Sequence, residues 1–372
     1  MTAGVLPPEA WVAALAGLPA MGPARLRAVL AAWAPEEAWA RVAAGAACSR
    51  PAVALACGPD SAGVAGLWVV AARRVSVSEV WAGLCRAGVT VSLAGSPVFP
   101  SVLSSDLEPP AVLFSRGDWS ALDGRRVAIV GTRRCTRYGR DVAQELGHDL
   151  ASAGVRVVSG LALGIDGAAH RGALAAAGGP PVAVVGSGLD VVYPPGHRSL
   201  WEDVARAGLL LSEAPLGARP EPWRFPVRNR VIAALAEVVV VVESAEKGGS
   251  RHTVEAAMAR DRLVMAVPGS VRSPVSCYTN GLLADGCHPV RDALDVLVAL
   301  GLSSAPSDGG DRREPPGPEE SPVLEDLGWE PATFEDLCAR SGRTPGQVSV
   351  ALARLQAGGW VAERAGWWER AT

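Results

Sequence analysis

The chain has 372 residues, 49% of them apolar and 20% charged, with a net charge of −3 at pH 7. That length gives two or three domains, one of them large, and no run reaches the ~18 apolar residues of a membrane-crossing helix. The start, Met1 to Trp11, lacks the basic and long apolar regions of a secretion signal. The seven cysteines are scattered without a C-x-x-C, which argues against both a disulfide framework and a zinc site. A cytoplasmic protein without cofactor or metal is the expectation.

Residues 1–90 read as a helical domain of short helices rich in Ala, Leu, Val and Trp. Leu15-Ala-Gly-Leu-Pro-Ala-Met-Gly22-Pro23, followed by Arg25, resembles a helix–hairpin–helix turn (a SAM/helix-hairpin-helix-like domain), in which a tight glycine turn aims backbone N–H groups at a phosphate. Ala20 stands where the first glycine is usual, so a purely packing role is the competing reading. Residues 91–123 read as an irregular lead-in segment, because Ser96-Pro-Val-Phe-Pro100 and Leu107-Glu-Pro-Pro110 carry too much proline for a regular helix.

From 124 to 298, apolar runs alternate with helical patterns. The runs are Val127–Val130, Val155–Val158, Val182–Val185, Leu209–Leu211, Val238–Val242 and Leu263–Val267. Continuous apolar strands separated by helices predict a parallel sheet buried on both faces. The fold class is therefore α/β, a doubly wound Rossmann-like parallel sheet spanning 91–298 with its lead-in. Residues 299–320 read as a Pro/Gly/Ser-rich linker. Residues 321–372 read as a winged helix: Thr333 caps one helix, Thr344-Pro345 starts a second, and two strands turn at Ala365-Gly366.

Charge is unevenly spread. Residues 124–298 carry 20 Lys and Arg against 17 Asp and Glu, so the rest of the chain is acidic. Lys247 is the sole lysine, so cationic contacts fall to arginine.

In an open α/β sheet, ligands sit at the carboxyl ends of the strands. The turns there hold Gly131-Thr132-Arg133, Ser159-Gly160 with Gly164, Gly186-Ser187-Gly188 with Tyr193, Arg228-Asn229-Arg230, and Gly249-Ser250-Arg251. Glycine lets the backbone approach a ligand, helix N-terminal N–H groups face an anion, and arginine adds bidentate phosphate contacts. Several such turns side by side read as a row of phosphate seats, which suits a nucleic-acid strand better than one nucleotide. The G-x-G-x-x-G fingerprint and the G-x-x-x-x-G-K-[ST] loop are both absent.

Some residues carry two readings. Arg228 and Arg230 serve either as DNA contacts or as ion pairs with Glu213 or Glu243. Asp166 reads as the N-cap of the helix through His170, and His170 as an interior histidine. Tyr193 either stacks a base or packs against Pro194-Pro195.

In order, Val130-Gly-Thr-Arg133, Ser159-Gly-Leu-Ala-x-Gly-Ile-Asp166, Gly186-x-Gly-Leu-Asp190-x-x-Tyr193-Pro194, Leu211-Ser-Glu213, Phe225-Pro-x-Arg228-Asn-Arg230, Gly249-Ser250 and Ala266-Val-Pro-Gly269 resemble the DprA/Smf family of DNA-processing proteins. The resemblance implies a non-catalytic protein that binds single-stranded DNA without sequence specificity during DNA uptake and recombination. It also implies a homodimer that hands the strand to the RecA recombinase. Where many members place a lysine after Tyr-Pro, this chain has Pro195, so His197 or Arg198 is expected to take that DNA contact. The alternative is a Rossmann-like enzyme related to cytokinin-riboside phosphohydrolases, whose P-G-G-x-G-T-x-x-E loop is matched in part by Lys247 to Glu255. A transcription regulator is a third reading, but the second helix of the winged helix offers little beyond Arg354, Gln347 and Ser349 for reading duplex DNA.

Overall fold

The structure, a computed structural model, describes residues 5–302 and 313–371. It divides into two compact units, the first ending at residue 303. Residues 303–312 of the expected linker lie outside the described residues.

The first unit opens with six helices, α1 (Pro8–Ala16), α2 (Pro23–Ala32), α3 (Pro35–Ala43), α4 (Pro51–Cys57), α5 (Ser61–Ala72) and α6 (Val77–Arg86). Four of them begin at proline, whose fixed φ and missing N–H suit the first helical turn. The hairpin-like turn between α1 and α2 does form. Ala20 takes the left-handed backbone (φ 56°) that glycine usually supplies. Arg25 donates to the carbonyl of Ala20 and Trp68 Nε1 to that of Pro19, which fixes the turn internally.

Nine strands follow: β1 (Thr90–Leu93), β2 (Val112–Gly117), β3 (Arg126–Val130), β4 (Arg156–Ser159), β5 (Val182–Val184), β6 (Leu209–Ser212), β7 (Val238–Val241), β8 (Leu263–Ala266) and β9 (His288–Pro289). They form one sheet in the order β1-β2-β6-β5-β4-β3-β7-β8-β9. From β6 to β9 every pairing is parallel. The lead-in segment is more regular than its prolines indicate. β1 and β2 pair antiparallel with each other, β2 adds antiparallel to β6, and the prolines fall in the connection between them. Val91, Val112, Phe114 and Leu210 share a buried core with Leu15, Val29 and Trp68, so the N-terminal helices pack onto this edge of the sheet.

Between the strands run a single turn, α7 (Ser101–Ser104), and α8 (Arg137–Ser152), α9 (Ile165–Ala175), α10 (Arg198–Ala207), α11 (Arg224–Leu235), α12 (Ser250–Met258), α13 (Cys277–Ala284) and α14 (Ala293–Ala299). Because side chains alternate along a strand, Val127 and Ile129 of β3 meet α8, α9 and α14 on one face, whereas Ala128 and Val130 meet α11 and α12 on the other. This is the doubly wound arrangement. No single helix among the described residues is long and apolar enough to cross a membrane.

The second unit holds α15 (Ser321–Leu327), β10 (Ala332–Thr333), α16 (Phe334–Ser341), α17 (Pro345–Ala357), β11 (Val361–Arg364) and β12 (Trp367–Arg370). Its strands pair antiparallel in the order β10-β12-β11, the layout of a winged helix. Capping boxes Thr333/Asp336 and Thr344/Gln347 start α16 and α17. The one cation of α17, Arg354, is 2.9 Å from Glu320, so that helix offers no unpaired charge to a duplex.

Candidate nucleic-acid interface

The sheet reverses direction of growth at β3. The chain builds β4, β5 and β6 on one side, then crosses through α11 to place β7 on the other. Helices α8 and α12 therefore leave neighbouring strands toward opposite faces, and a crevice opens beyond the carboxyl ends of β3 and β7. It is lined by Gly131, Thr132, Arg133, Arg134, Asp166, Arg228, Asn229, Gly249, Ser250 and His252, among others. A second cleft adjoins it, lined by Arg133, Gly160, Leu163, Gly186, Ser187, Tyr193, Phe225 and Arg228. The two share Arg133, Phe225 and Arg228. Loops from four adjacent strands, β5, β4, β3 and β7, thus line one continuous rim. Three interstrand steps of about 4.8 Å make it roughly 14 Å long.

Arg133 is the central cation. Its guanidinium lies 4.7 Å from the ring centre of Phe225, which in turn sits 5.6 Å from Tyr193. Neither Arg133 nor Arg134 has an ion-pair partner within 4 Å among the described residues, although Arg133 stands near enough to Asp166 to favour its ionised form. Beneath them Arg228 is buried, with its guanidinium against Gly160 and donating to the carbonyl of Val184. Burial lowers Arg228 to about 10 while Asp166 pulls it back up, so it stays charged at neutral pH beside the Asp166 carboxyl in the cleft floor. Burial likewise lifts the carboxyl of Asp166 above the ordinary range, against the pull of Arg228.

Several expected phosphate seats are occupied by the protein itself. The N–H groups of Thr132, Gly160 and Gly188 donate to the Glu243 carbonyl (2.7 Å), Asp166 Oδ2 (3.2 Å) and the Ala218 carbonyl (2.9 Å). Ser159 is fully buried and its hydroxyl donates to Ile129, and Ser250 Oγ donates to Ser244 Oγ. Loops that cross over one another at a strand-order reversal need internal cross-ties, and these amides and hydroxyls supply them. Arg230 is not a DNA contact: it is bound bidentately to Glu213 at 2.6 and 2.7 Å, and both side chains are nearly inaccessible. Arg228 reaches a ligand only through the cleft floor.

Asp166 is not an N-cap. Gly164, with φ 77°, holds that position, and Asp166 is the second residue of the helix, in its first turn. His170 is an interior histidine, with Nε2 3.2 Å from the Val182 carbonyl and its pKa lowered to about 4 by burial. His197 cannot replace a lysine: it is buried, with Nδ1 3.0 Å from the Leu161 carbonyl. Arg198 is exposed but lines neither cleft, and Arg251 leans over Tyr278 at 5.5 Å outside both. Gly164 packs against Thr132 and Arg133 and supports the loop rather than facing the rim.

Residues outside the expected phosphate seats also matter. Phe225, Arg134 and His252 line the clefts. Glu243 is buried and accepts from Thr136 N (2.8 Å) and Oγ1 (2.6 Å), so it seals the N-terminus of α8 rather than pairing with an arginine. Phe225 belongs to the Phe-Pro-x-Arg-Asn-Arg run and is the second residue of α11. Glu243 carried no signal of its role, because its partner lies 107 residues earlier.

An arginine-bearing cleft along the carboxyl rim of a doubly wound sheet, in a chain that also carries a winged helix, defines a Rossmann-like protein with an appended winged-helix domain. The family model of DNA recombination-mediator protein A matches residues 90–301, and that of the DprA winged helix domain matches 310–366. The chain belongs to the DprA/Smf family. The DNA processing protein DprA of Bacillus subtilis is 38% identical over 223 residues, 60% of this chain and 75% of that protein. The X-ray structure of Streptococcus pneumoniae DprA matches with TM-score 0.64 and 28% identity, over 79% of this chain and 98% of that one. The Helicobacter pylori protein, whose structure concerns a single-stranded DNA binding mode, matches with TM-score 0.51 and 29% identity over 57% of this chain and 95% of that one.

Proposed function

We propose that this chain is a non-catalytic, cytoplasmic mediator that binds single-stranded DNA without sequence specificity along the carboxyl rim of its sheet. In this reading it works as a homodimer and hands the strand to the RecA recombinase. The observation that carries it is the continuous rim formed by two clefts sharing Arg133, Phe225 and Arg228, with the exposed guanidinium groups of Arg133 and Arg134 above the buried one of Arg228. A rim shared by four loops supports a strand over a single nucleotide. The single-stranded DNA binding of the Helicobacter pylori relative points the same way. Phosphates are held mainly by arginine side chains, and Tyr193 and Phe225 offer aromatic faces that any base can stack on.

The nucleoside-phosphate hydrolase alternative has less support. Its glutamate would correspond to Glu255, which is 59% exposed, lies within 4 Å of Arg251 and His252, and lines neither cleft.

The test is binding of a short oligothymidine, single- and double-stranded, across salt concentrations. Single strands should bind tighter, and Arg133→Ala should weaken binding by about 1.5–3 kcal/mol and flatten the log–log salt slope by about 0.7. Equal binding of duplex, or no effect of Arg133→Ala, refutes the reading. Release of ribose phosphate from nucleoside monophosphates would support the hydrolase instead.

A further inference from the structure

The N-cap of α11, Trp223, already has helical backbone angles and is an aromatic residue that the rim does not use. Residues two apart on a helix point about 200° apart. Phe225 turns toward Tyr193 and Arg133 in the second cleft. Trp223 turns the other way, into a groove walled by the Gly17–Gly22 turn of the N-terminal helices and the loop after β6. The groove encloses about 710 Å³, a volume typical of small-ligand sites.

Trp223 is 44% exposed although it stands beside Gly22, where an added Cβ would lie 3.9 Å from the indole. The guanidinium of Arg224 covers one face of the ring at 4.5 Å, and its Nε has no hydrogen-bond acceptor. The other charged groups of the groove are Arg25 and Glu221. Arg25 is tied to the carbonyls of Ala20, Ala56 and Cys57. Glu221 accepts from Trp223 Nε1 and stands 3.9 Å from Arg224 Nε. The groove adjoins the rim. A small cavity lined by Gly186, Trp223, Arg224 and Arg228 lies between them, and a Cβ on Gly186 would sit 3.3 Å from the Phe225 ring and 3.6 Å from the Arg224 carbonyl.

We propose that Trp223 and this groove form a second single-strand subsite, which takes a base of the same strand as it leaves the sheet rim toward the α1–α2 turn. The proposal rests on the single-strand reading above. A strand crossing the α11 turn meets Phe225 on one side and Trp223 on the other. Stacking on an indole tolerates every base, so the extension adds affinity without sequence preference.

The experiment titrates the full chain with oligothymidines of about 3 and about 20 nucleotides, lengths that bracket the site of a single binding module. Trp223→Ala should lose about 5- to 100-fold on the long oligomer and stay within about twofold of wild type on the short one, which the rim alone accommodates. Trp223→Phe, which keeps a π-face, should recover most of the loss, and Arg133→Ala should weaken both lengths. Unchanged affinity of Trp223→Ala for the long oligomer overturns the subsite. An equal loss on both lengths overturns it too, because it marks a distorted rim. Wild type that binds neither oligomer refutes the single-strand reading itself.

Discussion

Arg230 and Glu213 decide whether the Phe-Pro-x-Arg-Asn-Arg run serves the fold or the ligand. Arg230→Met leaves Glu213, 11% exposed, without the guanidinium that holds both its oxygens. Removing one partner of a buried pair costs about 3–5 kcal/mol. Over a unit of roughly 300 residues the unfolding entropy is about 0.6 kcal/mol per kelvin, so the melting temperature should drop by about 5–8 °C. Glu213→Leu should cost less, because Arg230 keeps the Glu108 carbonyl and the Glu108 carboxylate 3.8 Å away. The double variant removes both charges, and apolar pairs of similar volume are often near neutral. It should regain most of the loss, for a coupling energy above about 2 kcal/mol. Thermal and urea unfolding of the four proteins read this, with oligothymidine titrations alongside. The double variant should bind DNA as wild type does. A stable double variant whose salt slope falls by about 0.7 would make Arg230 a phosphate ligand after all. Single variants that each lose under about 1 kcal/mol would mean the pair holds nothing.

Glu243→Ala should remove the acceptor of Thr136 N and Oγ1 at the start of α8 and cost about 2–4 kcal/mol, since bonds to a charged acceptor are the strong ones. Hydrogen exchange should accelerate for the amides of residues 132–139 and leave α12 unchanged; uniform protection would contradict the sealing role. His170 is lowered to about 4 from 6.5 by burial, so as pH falls the unfolded chain takes up the proton first. The stability that this neutral ring contributes is complete above pH 6.5 and is lost as pH falls toward 4, by up to about 3 kcal/mol. Asp166, raised by burial, acts in the opposite sense in wild type and variant alike and cancels in their difference. The urea midpoint of His170→Gln should therefore depend less on pH between 7 and 4.5 than that of wild type, and parallel curves would refute the assignment.

The parallel core was legible because strands covered on both faces have no polar side to hide. Val238–Val241 and Val127–Ile129 are buried without a gap, and so were their uninterrupted apolar runs. The winged helix was legible from its caps, because Thr333 and Thr344 carry their signal within three residues. The strands β1 and β2 were hidden, because β1 pairs only with β2, and β2 joins the sheet only through β6, more than 90 residues further on. Proline density in the connection spoke louder than the alternation within them. At the site, the position of the loops was readable and the disposition of their donors was not. Whether the N–H of Gly160 faces solvent or Asp166 depends on a helix that starts five residues later and on how α8, α9 and α11 converge. Glycine reports only that a close approach happens, not what approaches.

That distinction changes what the rim can do. Had the loop amides faced outward, binding would rest on fixed dipoles that release few counterions. With Thr132, Gly160 and Gly188 turned inward, the loops are cross-tied into a rigid frame and attraction passes to mobile side chains over a buried charge. Two unpaired arginines, Arg133 and Arg134, then set the electrostatic yield of one chain: a log–log salt slope of about −1.4, near −2.8 if two rims act on one strand. A slope well beyond that requires exposed cations off the rim, Arg198 and Arg219 first among them. The slope therefore measures how far the strand travels past the sheet, and a shallow slope with tight binding would assign the remaining affinity to the aromatic faces of Tyr193, Phe225 and Trp223.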